Sequence, residues 1–261
     1  MKLILFSMLM YTALPLMAQN DTLATGVYSV SNLISKPSAI GSKKQLLDGS
    51  SRDLTNLEIH ISTLNPGFKN HSVTTYNDKE ELIIVTKGSL KVSINDSAKT
   101  INRGGFIFIE TGDKQYFENV ADSPATYYVI MFRSKNAINM VRGKNSGGSV
   151  VKDWNDLIVS KSAKGESRPI LNKPTAMFER LDVHVTTLNA GAISHLPHVH
   201  RAEEMIILLN GHGEMQLDGV TRSAAVGDVI FVGSNALHGF KNTGSEQSTY
   251  FAIQWQNKLK D

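Results

Sequence analysis

The chain has no cysteine among its 261 residues. Disulfide frameworks, thiolate zinc sites, iron–sulfur clusters and cysteine nucleophiles are therefore excluded together. Charge of one sign is also missing: 27 basic against 24 acidic residues leave a formal net charge of +3, and no basic block exceeds a pair. Nucleic acid and anionic membranes select clustered Lys and Arg, so neither is expected as the main partner. Aromatic residues make up 7% and proline numbers seven, but 41% of residues are hydrophobic, enough to bury a core. Length and composition fit one large domain or two of ordinary size.

The one long hydrophobic run stands at the start. Residues 1–18, MKLILFSMLMYTALPLMA, carry one Lys, an apolar stretch and a small residue at Ala18 before the polar run GlnAsnAspThr. This is the layout of a secretory signal peptide cleaved after Ala18, and it implies a periplasmic or secreted protein. A membrane anchor fits less well, because the run is short, is broken by Pro15 and is followed by no stop-transfer charges. No membrane association is expected after cleavage.

Internal repetition dominates the rest. EIHISTLNPG at 58–67 matches DVHVTTLNAG at 182–191, and KEELIIVTKG at 79–88 matches AEEMIILLNG at 202–211. The first pair is offset by 124 (191 − 67) and the second by 123 (211 − 88), so one residue separates two otherwise aligned halves. GGFIFIETGDKQYFEN at 104–119 lies on GDVIFVGSNALHGFKN at 227–242, and TYYVIMF at 126–132 on TYFAIQW at 249–255. Each half alternates short Ile/Val/Phe/Tyr/Thr runs with turn residues, which indicates an all-β sandwich or barrel. The segment 134–164, with GlyLysAsnSerGlyGly at 143–148, reads as a linker with little helix. The expected domains are 19–140 and 141–261, after a signal peptide at 1–18.

Ligand-type side chains concentrate in the second half. His198, His200 and Glu204 occur in HVHRAEE, and His238 follows in SNALHGFKN. In an extended strand His198, His200, Glu204, Ile206 and Leu208 share one face. Three imidazoles and a carboxylate converging in a barrel suit one divalent first-row metal ion. Ile206, Leu208 and Phe240 are expected to line the pocket wall. His195 is the candidate acid–base group near the mouth; an exposed loop histidine is the competing reading. His184 recurs as His60 in the other half, which suggests an architectural role.

GAISHLPHVHRAEEMIILLNG resembles the first motif of the cupin family, and GDVIFVGSNALHGFKN resembles the second. The departures are a longer spacer after Gly191, Gly233 for the usual proline and Asn235 for the usual glycine; all affect turns and spare the ligands. The resemblance implies a bicupin, two tandem jelly-roll (double-stranded β-helix) barrels. It implies a metal, Mn, Zn, Fe or Ni, on His198, His200, Glu204 and His238. In the first half the matching positions hold Thr75, Asn77, Glu81 and Gln115, with His71 opposite His195. Only Glu81 is a transition-metal ligand of quality. That barrel is expected to be metal-free: structural, an interface, or a second wall of the pocket.

The resemblance implies less about the reaction. The leading expectation is a metal-dependent enzyme acting on a small, oxygen-rich organic acid or sugar acid by Lewis-acid chelation. Alternatives are a non-catalytic small-ligand binder, a metal that only staples the barrel, a dioxygenase, or a hydrolase similar to (S)-ureidoglycine aminohydrolase. The last carries Glu, His, His and Gln at the four slots, unlike this chain. Bicupin oxalate decarboxylases carry metal in both barrels, again unlike this chain. Cupin barrels often pair through an edge strand, which implies a homodimer, although two fused barrels could satisfy that need within one chain.

Overall fold

A computed structural model describes residues 22–257; the expected signal peptide lies outside the described residues. Runs of β-branched and aromatic residues with period-two burial become antiparallel strands, as that pattern demands. Each half closes from a seven-stranded sheet and a smaller sheet, of four strands in the first half and three in the second. The helical content of the described residues is one short α-helix, Met140–Asn145, and a 3₁₀ turn at Trp154–Asp156, both in the connecting segment.

The duplication is repeated in backbone detail. Strand Leu54–Leu64 runs between Gly41–Gly49 and Ala125–Ser134; strand Arg180–Leu188 runs between Gly165–Lys173 and Ser248–Gln256. Each repeat has a register shift at the same place, between Gln45 and Leu47 in one and between Pro169 and Leu171 in the other. Gly88 and Gly211 both take φ near +70°, and a Cβ on either would stand 2.8 Å from a carbonyl oxygen, of Pro124 or Gln247. Only glycine fits a turn that combines positive φ with so close a backbone neighbour.

The halves also exchange strands. Gly26–Tyr28, ahead of the first barrel, pairs with Val229–Val232 of the second. Val150–Lys152, ahead of the second barrel, pairs with Phe106–Ile109 of the first. The outward faces of the two large sheets meet in one core containing Phe106, Phe108, Phe132, Phe178, Phe251 and Trp255, all buried. Separate, smaller cores fill the barrel interiors.

Two buried carboxylates lock this interface, one from each repeat. Glu203 accepts hydrogen bonds from Ser51 Oγ at 2.7 Å, Arg52 N at 3.0 Å and Asp53 N at 3.1 Å, and from Trp255 Nε1 at 3.1 Å within its own barrel. Its counterpart Glu80 accepts from Thr175 Oγ1 at 2.8 Å and Met177 N at 3.1 Å. Residues 51–53 and 175–177 are themselves equivalent by the repeat, so each barrel holds the same loop of the other.

The Glu80 clasp titrates out of the ordinary carboxyl range. Burial, with Glu110 nearby, pushes the Glu80 carboxyl up to about 8, against hydrogen bonds from Thr175 and Met177 that pull it down. A carboxyl with a raised folded value binds its proton more tightly in the native state, so its contribution is full below the ordinary 4.5. That contribution is lost as the pH rises from there through about 8. Urea denaturation at about pH 5 and about pH 8 should show wild-type stability falling across this interval. Glu80→Gln, which cannot ionise, should flatten the fall; an equally steep profile in the variant would remove Glu80 as its cause.

Candidate metal centre

The second barrel gathers its ligand-type side chains from a loop and two strands. His198 and His200 precede strand Glu203–Asn210, which carries Glu204, and His238 opens strand His238–Lys241. The expectation of one continuous extended run through 198–208 needs correction, because Arg201 and Ala202 form a bend. The histidines are held instead by backbone pairing across the barrel: His198 and His238 exchange N–H···O bonds of 3.0 Å, and Asn235 N donates to His200 O at 2.9 Å. Asn235 takes φ 63°, the left-handed conformation that asparagine tolerates, and so does the work of the glycine it replaces.

These supports bring the ring nitrogens of His198, His200 and His238 within 4.8 Å of one another. Glu204 Oε2 lies 3.2 Å from His200 Nε2 and 3.1 Å from His238 Nε2. His238 and Glu204 are buried; His198 and His200 are half-buried. Burial opposes ionisation of Glu204, but the hydrogen bonds and charge of His200 and His238 outweigh it and hold the carboxyl down at about 2. Burial and the neighbouring imidazoles lower His198, while Glu204 raises His200.

Tautomers show what the cluster is built to hold. His200 Nδ1–H donates to Ala202 O at 2.8 Å and His238 Nδ1–H donates to Ala236 O at 2.9 Å. Carbonyls only accept, so Nδ1 carries the hydrogen in each ring. A neutral ring then turns an Nε2 lone pair on the Glu204 carboxylate, and two such contacts repel unless positive charge lies between them. Protons can supply it, and so can a cation. His198 adds a buried Nδ1 with no hydrogen-bond partner. Three imidazoles and a carboxylate in this state fit a divalent first-row ion, with backbone carbonyls orienting two of the rings.

A cavity of about 280 Å³ opens above the cluster. Ile206 and Phe240 line it. Leu208 does not: it shares their face of the barrel core but stands two residues further along, beyond the cavity. His195 is in place at the rim, its ring centroid 4.1 Å from that of His198. Partial desolvation of the ring lowers its pKa, so it is neutral at neutral pH. His184 also faces this cavity rather than serving only as framework. The lining side chains all come from the second half, so the first barrel is not a wall of it.

The sequence analysis missed most of the polar lining, of which Tyr250, Gln254 and Lys164 bear on the chemistry. Tyr250, Ala252 and Gln254 recur at every second position on one face of strand Ser248–Gln256, and that period of two was legible in TYFAIQW. Lys164, in the turn before Gly165–Lys173, donates to Ser194 O at 3.0 Å; no local signal marks it.

Glu204→Gln keeps the side chain's shape and removes its charge. Equilibrium dialysis against Mn(II) or Zn(II) should show affinity lowered roughly 100-fold or more, beyond the 10–100-fold common for losing an outer partner. Wild-type uptake should weaken as the pH falls and protons compete for His200. An affinity unchanged in the variant would show that Glu204 is no ligand.

Comparisons with known proteins bear on the fold. The cupin domain model matches residues 60–131 and 184–254. No curated protein matches the sequence. Among solved structures, protein Ylba from E. coli superposes with a TM-score of 0.70 at 16% identity, covering 94% of this chain and 97% of that one. The oxalate decarboxylase of Lactobacillus farciminis, solved as a formate complex, gives 0.70 at 14% identity over 92% and 88%. AerE from Microcystis aeruginosa gives 0.65 at 14% over 86% and 98%. Identities this low speak for the fold alone. With both halves matched by the same domain model and both built as barrels, the chain belongs to the cupin family and is a bicupin.

Proposed function

We propose that this bicupin is an exported metal-dependent enzyme that acts on a small carboxylate-bearing metabolite, an organic acid or sugar acid, in its second barrel. His198, His200, Glu204 and His238 hold one divalent ion. When bound, such an ion polarises a carbonyl or carboxylate oxygen and favours ligands that chelate it. The observation that carries the reading is the junction of this ligand set with a cavity of about 280 Å³ that has an uncommitted base at its rim. A volume at or below the usual 300–1,000 Å³ range for ligand pockets suits a substrate of few heavy atoms.

The titratable groups around the cavity sort into roles. Burial pushes the Tyr250 phenol up to about 12, so it donates a hydrogen bond and does not act as a base near neutral pH. Glu204 is committed to the histidines. His195 is neutral, its Nδ1–H donates to Leu196 O at 3.2 Å, and its Nε2 lone pair is left to take a proton from substrate or water. Lys164 brings a fixed positive charge to the mouth, where it attracts an anion, and Gln254 offers both a donor and an acceptor to it.

Chelator-treated protein reloaded separately with Mn(II), Fe(II), Ni(II) and Zn(II) should be screened against hydroxy, keto and sugar acids by mass spectrometry of the products. His195→Gln should keep the metal and lower kcat by about 100-fold or more with KM little changed, as loss of a general base does. Saturable, metal-dependent binding without turnover of any acid would establish a binding module in place of an enzyme. Amino-terminal sequencing of protein recovered outside the cytoplasm should begin at Gln19; an intact amino terminus would end the proposal of export.

A further inference from the structure

The cations around the first barrel's own cavity are all paired: Lys79 with Glu81 at 2.8 Å, Arg133 with Asp78 at 2.9 Å and Lys43 with Glu58 at 3.1 Å. A groove between the barrels is different. It has a volume of about 440 Å³ and draws on both halves, with Val30, Lys44, Lys87, Arg103 and Gly227 among its walls. No carboxylate lines it, and among the described residues Lys44, Lys87 and Arg103 have no ion-pair partner. Arg103 is held across the groove by a hydrogen bond of 2.9 Å from Nη2 to Leu209 O. Asp228, beside Gly227, is engaged by the backbone N–H groups of Val30 at 3.1 Å and Ala225 at 2.9 Å.

The repeat shows what the groove lacks. Val30 is the counterpart of Trp154: each stands two residues beyond an exchanged strand, Gly26–Tyr28 or Val150–Lys152, at the offset of 124 (154 − 30) that relates the halves. Gly227 is likewise the counterpart of Gly104, and Lys44 of Arg168. In the other copy the indole packs against both groups. A Cβ on Gly104 would stand 2.4 Å from Trp154 Cε3, and Arg168 Cζ lies 4.6 Å from the centre of the ring. Arg168 is also neutralised there, by Glu166 at 2.7 Å. In the groove a valine replaces the indole and Ser42 replaces Glu166, while the cation is kept. The filler and the counter-charge of one copy are missing together from the other.

We infer that this groove binds a small planar aromatic carboxylate, its ring taking the place of the Trp154 indole and its carboxylate that of Glu166, beside Lys44. Arg168 shows the geometry: one cation lies over a ring and holds a carboxylate at once. Lys87 and Arg103, both exposed, add positive charge that draws an anion in. An aliphatic acid would satisfy Lys44 but leave the flat space beside Gly227 unfilled, and a neutral ring would leave the cations unpaired. The volume falls within the usual range for ligand pockets, roughly 300–1,000 Å³. This site goes beyond the proposed enzyme activity, since it uses none of the second barrel's metal ligands.

The test is isothermal titration calorimetry on the full chain, stripped with EDTA and dialysed so that no metal in the second barrel attracts the carboxylate. Indole-3-acetate should bind saturably. Indole-3-ethanol, which keeps the ring without the charge, should bind roughly fivefold more weakly or worse, and acetate, which lacks the ring, should give no saturable heat. Val30→Trp refills the groove as Trp154 fills its copy and should abolish binding of indole-3-acetate. Ser42→Glu restores a counter-charge to Lys44 and should weaken binding roughly fivefold or more. The inference is overturned if indole-3-acetate gives no saturable heat, if indole-3-ethanol or acetate binds as well, or if affinity is undiminished in either folded variant. Should Val30→Trp fail to fold, Ser42→Glu and the contrast among the three ligands decide. None of these results depends on whether the second barrel binds metal or turns over a substrate.

Discussion

A carboxylate sealed inside a β-barrel needs positive charge beside it, and this molecule meets that need twice in different ways. Glu204 and Glu81 occupy equivalent places on equivalent strands, each almost fully buried. An unpaired buried anion costs several kcal/mol, so whatever neutralises it is chosen as firmly as any core residue. In the second barrel the neutraliser is a set of imidazoles whose Nδ1–H groups are spent on carbonyls, which leaves lone pairs that ask for a cation from outside. In the first it is an ammonium carried on the chain itself. The difference in chemistry between the halves follows from that one choice.

The choice is free because the fold does not rest on it. The largest core lies between the barrels, where Phe132, Phe178 and Trp255 pack edge to face or tilted at 5.3–6.5 Å, and not around the ligands. Exchanged edge strands and the reciprocal Glu80 and Glu203 clasps tie each half to the other's loops. Replacing His198, His200 and His238 by Thr75, Asn77 and Gln115 therefore altered a barrel floor without touching what holds the barrels shut.

Much of this was legible in the residues. The repeat announced two like domains, and the alternation of β-branched residues announced strands; His198, His200, Glu204 and His238 could be grouped because the residue types are rare and their spacing defined. The route by which they meet was not legible. A bend at Arg201 and Ala202 breaks the strand that parity reasoning assumed, and cross-barrel pairing of His198 with His238 restores the convergence. Leu208 shows the limit of the same reasoning: parity places a side chain inside a barrel but says nothing of its depth. The strand exchange was hidden because GlyValTyr and ValValLys are too short to carry a pattern. Lys79 was hidden for another reason. Aligning the halves position by position asks which ligand was lost, and the replacement came from two residues away, where Ala202 gives no hint.

Lys79 and the lost histidines are one event in physical terms. Once a lysine reaches Glu81, a divalent ion there would face a like charge at contact distance; once the imidazoles are gone, Glu81 without the lysine would be an unpaired buried anion. Neither substitution is comfortable alone, and together they close the charge account of the floor while leaving the wall, His60, Ser62 and Tyr127, facing an open cavity. The substituted cation therefore settles the charge of the floor within the chain, and leaves above it a polar wall that follows that of the second barrel.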